Sequence, residues 1–205
     1  MKSWPLLAIA LLLAIATSGL GKSLFEEKQR SRLQTLRTAK VKNMSLTPLD
    51  RAYLDTYRVL SDDNQCREFF GGKGSRQVLD ELLIRLRIQL ITDSRIGIRM
   101  SGTFTSLVEP TEGLAYRLFE RAEINSFGAF YRSKTFPADP FVPNMGSFRP
   151  NTKEARVLIL LHELAHLIKG RDGMWLIPDD GNNPQRSRIN TLTVESKCGE
   201  QIRAL

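Results

Sequence analysis

The stretch Arg156-Val157-Leu158-Ile159-Leu160-Leu161-His162-Glu163-Leu164-Ala165-His166-Leu167-Ile168-Lys169 decides how this chain reads. Between its two basic ends every side chain is apolar except His162, Glu163 and His166. A helix that is apolar almost all round is buried on most sides, and the pattern predicts one over 155–168. Asn151 as N-cap, with Glu154 three residues later, predicts its start. Lys169 and Gly170 predict its end. Three polar groups in the middle of such a helix are costly unless something satisfies them. His162 and His166 are the only histidines in the 205 residues. Positions four apart lie one turn above each other on the same helix face. Two imidazoles so placed can grip one metal ion, with Glu163 close enough to reach a water on it. The competing reading is a buried helix whose histidines only hydrogen-bond in the core.

His162-Glu163-Leu164-Ala165-His166 on an apolar helix resembles the HExxH motif of the zincin metallopeptidases. The likeness covers this helix and implies Zn2+ as cofactor, with His162 and His166 as ligands. It implies Glu163 as the catalytic general base, taking a proton from the water that attacks an amide carbonyl. It also implies a peptide or protein substrate. The segment 123–132 would then be the edge strand of a small sheet, holding an extended peptide by strand addition.

A catalytic zinc keeps three protein ligands and one open position. No third histidine exists, which excludes the metzincin subgroup, so a carboxylate is expected to complete the set. Pro178-Asp179-Asp180-Gly181 presents two carboxylates from a turn, and Asp180 ranks first, with Asp179 next to it. Glu195, on a helix expected from Asn183-Pro184 to Cys198, ranks third. Gluzincins take a glutamate from the early turns of such a helix, where this chain has Asn190. Asn190 fits better as a residue that orients a ligand. The combination of the histidine motif, the Asp-Asp-Gly loop and the terminal helix looks like predicted secreted bacterial zinc peptidases. The rival class is a non-catalytic envelope protein with a structural zinc or a degenerate site.

Elsewhere the patterns are weaker. Thr47-Pro48 with Asp50 predicts a helix start, and apolar spacing carries that helix to Leu60. Val78, Leu82, Leu83, Leu86 and Leu90 make one stripe, predicting a helix from Ser75 to Ile91. Ile96 to Met100 alternates like a half-buried strand that Thr103 to Val108 continues. Gly113 to Ala122 reads as a short helix, and 123–132 as a strand. Pro137, Pro140, Pro143 and Pro150 mark a long surface connection.

At the amino terminus, Lys2, the apolar run Leu6–Ile15 and Ala14-Ile15-Ala16 have the form of a signal peptide, residues 1–16, with cleavage as late as 21 the alternative. The run is short of the roughly 20 apolar residues a span needs, so no stable membrane span is expected after its removal. Cys66 and Cys198 are then expected to pair, because the compartment outside the cytoplasm is oxidising. The expected location is secreted or periplasmic. The chain carries a net charge of +8. Its basic residues are scattered, without the aromatic-interleaved motifs of nucleic-acid modules, so an anionic envelope surface is a better partner than nucleic acid. The expected organisation is an N-terminal helical arm over 17–45 and one α+β domain over 46–205. That domain is mostly helical and zincin-like, with a small sheet beside the histidine helix.

Overall fold

The computed structural model describes residues 24–38, 45–108, 113–134 and 142–205. The signal-peptide segment, Pro137 and Pro140 lie outside them. The chain divides into two units between Val41 and Lys42. Residues 24–38 of the first unit form one helix, α1. The second unit has an α+β fold, with the helices Ser75–Arg85 and Lys153–Leu167 against the central strand of a small mixed sheet.

Helix α2 (Pro48–Val59) starts where its residues dictate. Thr47 accepts from the Asp50 amide, and the Asp50 carboxylate accepts from the Thr47 amide, a complete capping box with Pro48 in the first turn. Asn64 caps the short α3 (Gln65–Phe69), which carries Cys66. The glycine cluster makes a 3-10 turn at Gly72–Gly74 leading into α4 (Ser75–Arg85).

The expected helix from Ser75 to Ile91 stops early, at Arg85. Leu86 turns extended, and β1 (Leu86–Gln89) pairs parallel with Ala122–Asn125. Leu-Arg-Ile-Gln-Leu is also an alternating pattern, and the ladder selects that period over the helical one. β2 (Ile98–Val108) fits the expected strand, with an irregularity between Ser101 and Phe104. There Gly102 has φ +87°, and an added Cβ would crowd Glu120.

In the region 113–132 the expected helix is absent, and the expected strand holds only for 123–125. In place of a short helix, Ala115–Asn125 forms β3, because its backbone pairs with strands on both sides. The strand order β1-β3-β2 makes β3 central, and residues 126–131 are turns. The segment 123–132 is therefore not an edge that could receive a peptide strand. Asn125, fully buried, closes this end of the sheet. Its side chain donates to the carbonyls of Asp93 and Ile96 and accepts from the amides of Ile91 and Phe127.

Helix α5 (Lys153–Leu167) runs through the core, and every residue from Val157 to Leu167 is buried. Its N-cap is Thr152, which accepts from the Ala155 amide, not Asn151. Asn151 instead takes a left-handed φ of 64°, and its amide is spent on the carbonyl of Ala129. After α5 the chain is extended. Ile168 bridges to Tyr116, on the side of β3 opposite β2.

Helix α6 (Pro184–Arg203), capped by Asn183, packs against α5, where Thr191 meets His162. The Cys66–Cys198 disulfide ties it to α3, closing a separation of 132 residues. A loop of that length contributes about 4–5 kcal/mol in the chain-entropy account. Among the described residues no helix is long and apolar enough to cross a membrane.

Candidate metal centre

The i, i+4 spacing on α5 brings the two imidazoles together. Their Nε2 atoms are 3.1 Å apart, and both rings are nearly inaccessible. The loop between α5 and α6 delivers Asp180 to the same point. One carboxylate oxygen lies 3.1 Å from His162 Nε2, and the other lies 3.6 Å from His166 Nε2. Donor atoms held about 2.0–2.2 Å from a tetrahedrally bound cation are about 3.3–3.6 Å from one another. The two imidazole nitrogens are slightly closer than that, and the Asp180 distances are to its two different oxygens. One ligand atom from each residue lies within 4.8 Å of the others. Among the described residues this is the one His, Cys, Asp or Glu group able to hold a metal ion.

The proton inventory points the same way. Thr191 Oγ1 has one proton, and it lies 2.9 Å from the carbonyl of Ser187, an acceptor only. With that proton committed, His162 Nδ1, 3.1 Å away, must donate to the hydroxyl. The lone pair of His162 then sits on Nε2, facing an Asp180 oxygen that is also an acceptor. Two acceptors at 3.1 Å require a positive charge between or beside them. His166 Nδ1 is buried with no hydrogen-bond partner among the described residues. With both rings neutral the group suits a cation at the Nε2 atoms, whereas a proton on Nε2 would close a hydrogen bond to Asp180 instead.

The local electrostatics favour positive charge as well. Burial alone pushes the His166 pKa down, yet the Asp180 hydrogen bond and the charges of Glu163 and Asp180 reverse it and raise it above its ordinary value. Burial would raise Asp180, but the neighbouring imidazoles of His162 and His166, when protonated, and the Ser187 hydroxyl hold its carboxyl well below the usual carboxylate range. Glu163, buried beside the two imidazoles, is raised by burial, and the nearby histidines only partly offset this.

The candidates for third ligand separate cleanly. Asp180 joins the histidines. Asp179, its neighbour, points to Arg117, whose Nη1 and Nη2 both donate to its carboxylate. Glu195 is committed elsewhere on α6. It accepts from the Ser147 amide at 3.0 Å and from the Ser147 hydroxyl, and Arg203 lies 3.8 Å away. Asn190, expected to orient a ligand, bonds to the aspartate that meets the histidines. Its side-chain amide donates to Asp180 Oδ1 at 2.5 Å and to the Pro178 carbonyl at 2.7 Å.

Two contributors were not singled out from sequence. Thr191 had a faint signal, as the neighbour of Asn190 on the same helix. Arg117 had none, since one arginine among many basic residues carries no local mark.

Comparison with protein-family models, with curated proteins and with solved structures returns no match. The reading of the centre rests on its own geometry.

Proposed function

We propose that this chain is an exported zinc-dependent peptidase. The observation that carries the reading is the convergence of His162 Nε2, His166 Nε2 and the Asp180 carboxylate, with Glu163 buried next to them. Two imidazoles and one carboxylate suit zinc, and the same set also serves non-haem iron. Glu163, lying between the two histidines in sequence as in the zincins, favours hydrolysis.

Zinc bound there would supply Lewis acidity, polarising a carbonyl and lowering the pKa of a water. The chain's own residues do the rest. Thr191 holds the His162 ring with its lone pair inward, and Asn190 fixes the Asp180 carboxylate. Glu163 takes the proton of the attacking water on its carboxylate and passes it to the leaving amine. The buried apolar wall of α5 keeps other water away from the centre. The enclosed Cys66–Cys198 disulfide supports a site of action outside the cytoplasm.

Metal analysis of the purified protein, paired with cleavage of a peptide library, tests the reading. The expected result is one zinc per chain and hydrolysis that Glu163→Gln abolishes while keeping its zinc. A zinc-free protein under zinc-replete conditions, or bound iron in its place, overturns it. Zinc retained with no hydrolysis by the wild type would assign the centre a structural role instead.

A further inference from the structure

We infer that Arg117 and Asp179 form a clamp that positions Asp180 for the metal, an inference resting on the metal-binding reading above. Arg117 lies on the central strand β3, and its guanidinium is almost wholly buried. Every nitrogen of that group is used. Nε donates to the carbonyl of His166 at 2.9 Å, while Nη1 and Nη2 donate to the carboxylate of Asp179. Trp175 covers one approach, with its ring centroid 4.2 Å from Cζ, and Phe119 lies 5.1 Å away.

Both partners of Arg117 are next to the metal group. His166 lies in the last turn of α5, where carbonyls have no intrahelical donor, so an outside donor is needed there. Arg117 supplies it and thereby holds the backbone of one ligand. Asp179 is peptide-bonded to Asp180, so the same guanidinium holds the backbone of another. The segment from Ile168 to Asn183 contains no helix or strand of its own, and Gly173 and Gly181 take left-handed φ values within it. Backbone pairing holds its first part, through the bridge between Lys169 and Trp175 and the bond from Leu176 to Ile168. Arg186 and Asn183 bond the carbonyls of Asp179 and Asp180; the carboxylates themselves are aimed by side chains. Asn190 grips it from α6 through Pro178 and Asp180, and Arg117 grips it from the sheet through Asp179.

The pairing also explains why adjacent aspartates have different fates. A buried guanidinium is expensive without a carboxylate, so Asp179 is retained by Arg117. A bidentate arginine fork sets orientation as well as distance, and this turns the chain so that Asp180 faces the imidazoles. Arg117 and Asp179 are positioning residues; neither touches the metal or the reacting atoms.

The test measures zinc affinity by competition with a chromophoric chelator in Asp179→Asn, Arg117→Gln and the double variant of the full chain. Visible spectra of their Co2+ forms report the ligand geometry. Removing a group that orients a ligand typically weakens metal binding about 10–100-fold. That loss is expected in each single variant, with an altered Co2+ spectrum, and the double variant should be no weaker than Arg117→Gln alone. Asp179→Asn leaves the buried Arg117 guanidinium without a carboxylate, so the melting of the metal-free protein should fall, and zinc affinity is compared at a temperature where every variant measured is folded. That variant decides the matter alone if Arg117→Gln does not fold. Wild-type zinc affinity in Asp179→Asn overturns the clamp while leaving the metal centre standing. Loss in Asp179→Asn with unchanged or tighter binding in Arg117→Gln also overturns it, by making Asp179 a ligand. A wild-type protein that binds no zinc overturns the clamp and the proposed function together.

Discussion

Thr191 Oγ1 lies 3.1 Å from Nδ1 of His162 and gives its own proton to the carbonyl of Ser187. The hydroxyl therefore acts as acceptor toward the ring and sets the tautomer with Nε2 free. Thr191→Val keeps the shape and removes the acceptor. Its zinc affinity should fall about 10–100-fold in a chelator competition, and Thr191→Ser should restore most of it. Equal binding by the valine variant would show that the tautomer is set by something else.

Metal removal should be visible as lost stability. Zinc at a hundred times its Kd adds about 2.7 kcal/mol to the folded state. For a chain of this size that corresponds to a melting shift of roughly 5–10 °C. Asp180→Ala should lose the shift, whereas Glu195→Ala should keep it, since Glu195 is occupied with Ser147. Calorimetry with and without chelator checks both.

Gly146 should tolerate no side chain. Its φ is +57°, and an added Cβ would meet the Glu195 carboxylate. Gly146→Ala combines an incompatible backbone with a steric conflict, for an expected loss of about 1–3 kcal/mol in urea denaturation. Zinc affinity should stay within about twofold of wild type, because the 145–148 turn touches none of the ligands.

Tyr131 predicts an alkaline effect. Its hydroxyl is buried without a hydrogen-bond partner among the described residues. Burial pushes its pKa up to about 12, with Arg156 opposing and Asp50 reinforcing the shift. Between the ordinary value of about 10 and that raised one, the unfolded chain has lost a proton that the folded chain keeps. The Tyr131 contribution is therefore fully present below about pH 10 and is lost as pH rises toward 12. Tyr131→Phe should be as stable as wild type or more so at neutral pH, and should lose less stability between about pH 9 and 11. Denaturant midpoints at the two pH values check the sign. A steeper alkaline loss in the phenylalanine variant would contradict it.

Legibility in the sequence followed how local each signal was. The capping box at Thr47 and Asp50 and the apolar run of α5 are written within a few residues, and both read correctly. Leu86-Arg87-Ile88-Gln89-Leu90 fits helical and extended periods alike, so its strand character waited for β3 to offer a partner. Ala115 to Ala122 read as helix for the same reason. Tyr116, Arg117 and Leu118 are buried in succession at the centre of the sheet, and such a run lacks the alternation that marks an edge strand. Asn151 was a plausible cap by residue type, but only the turn before α5 shows that its backbone is left-handed.

By itself the sequence determined that two imidazoles share one face of a buried helix, since 3.6 residues per turn places i and i+4 together in any environment. It also narrowed the third ligand to a few carboxylates by offering no other histidine. Tertiary structure brings Asp180, and neither Asp179 nor Glu195, to the imidazoles. Asp179 and Asp180 are chemically identical neighbours, and nothing local distinguishes them. Arg117, 62 residues before Asp179, claims one carboxylate, and Asn190 from the following helix directs the other. A buried arginine must find a charge partner, and adjacent side chains on a turn point in different directions. Those two facts act only once the sheet, the loop and α6 have met.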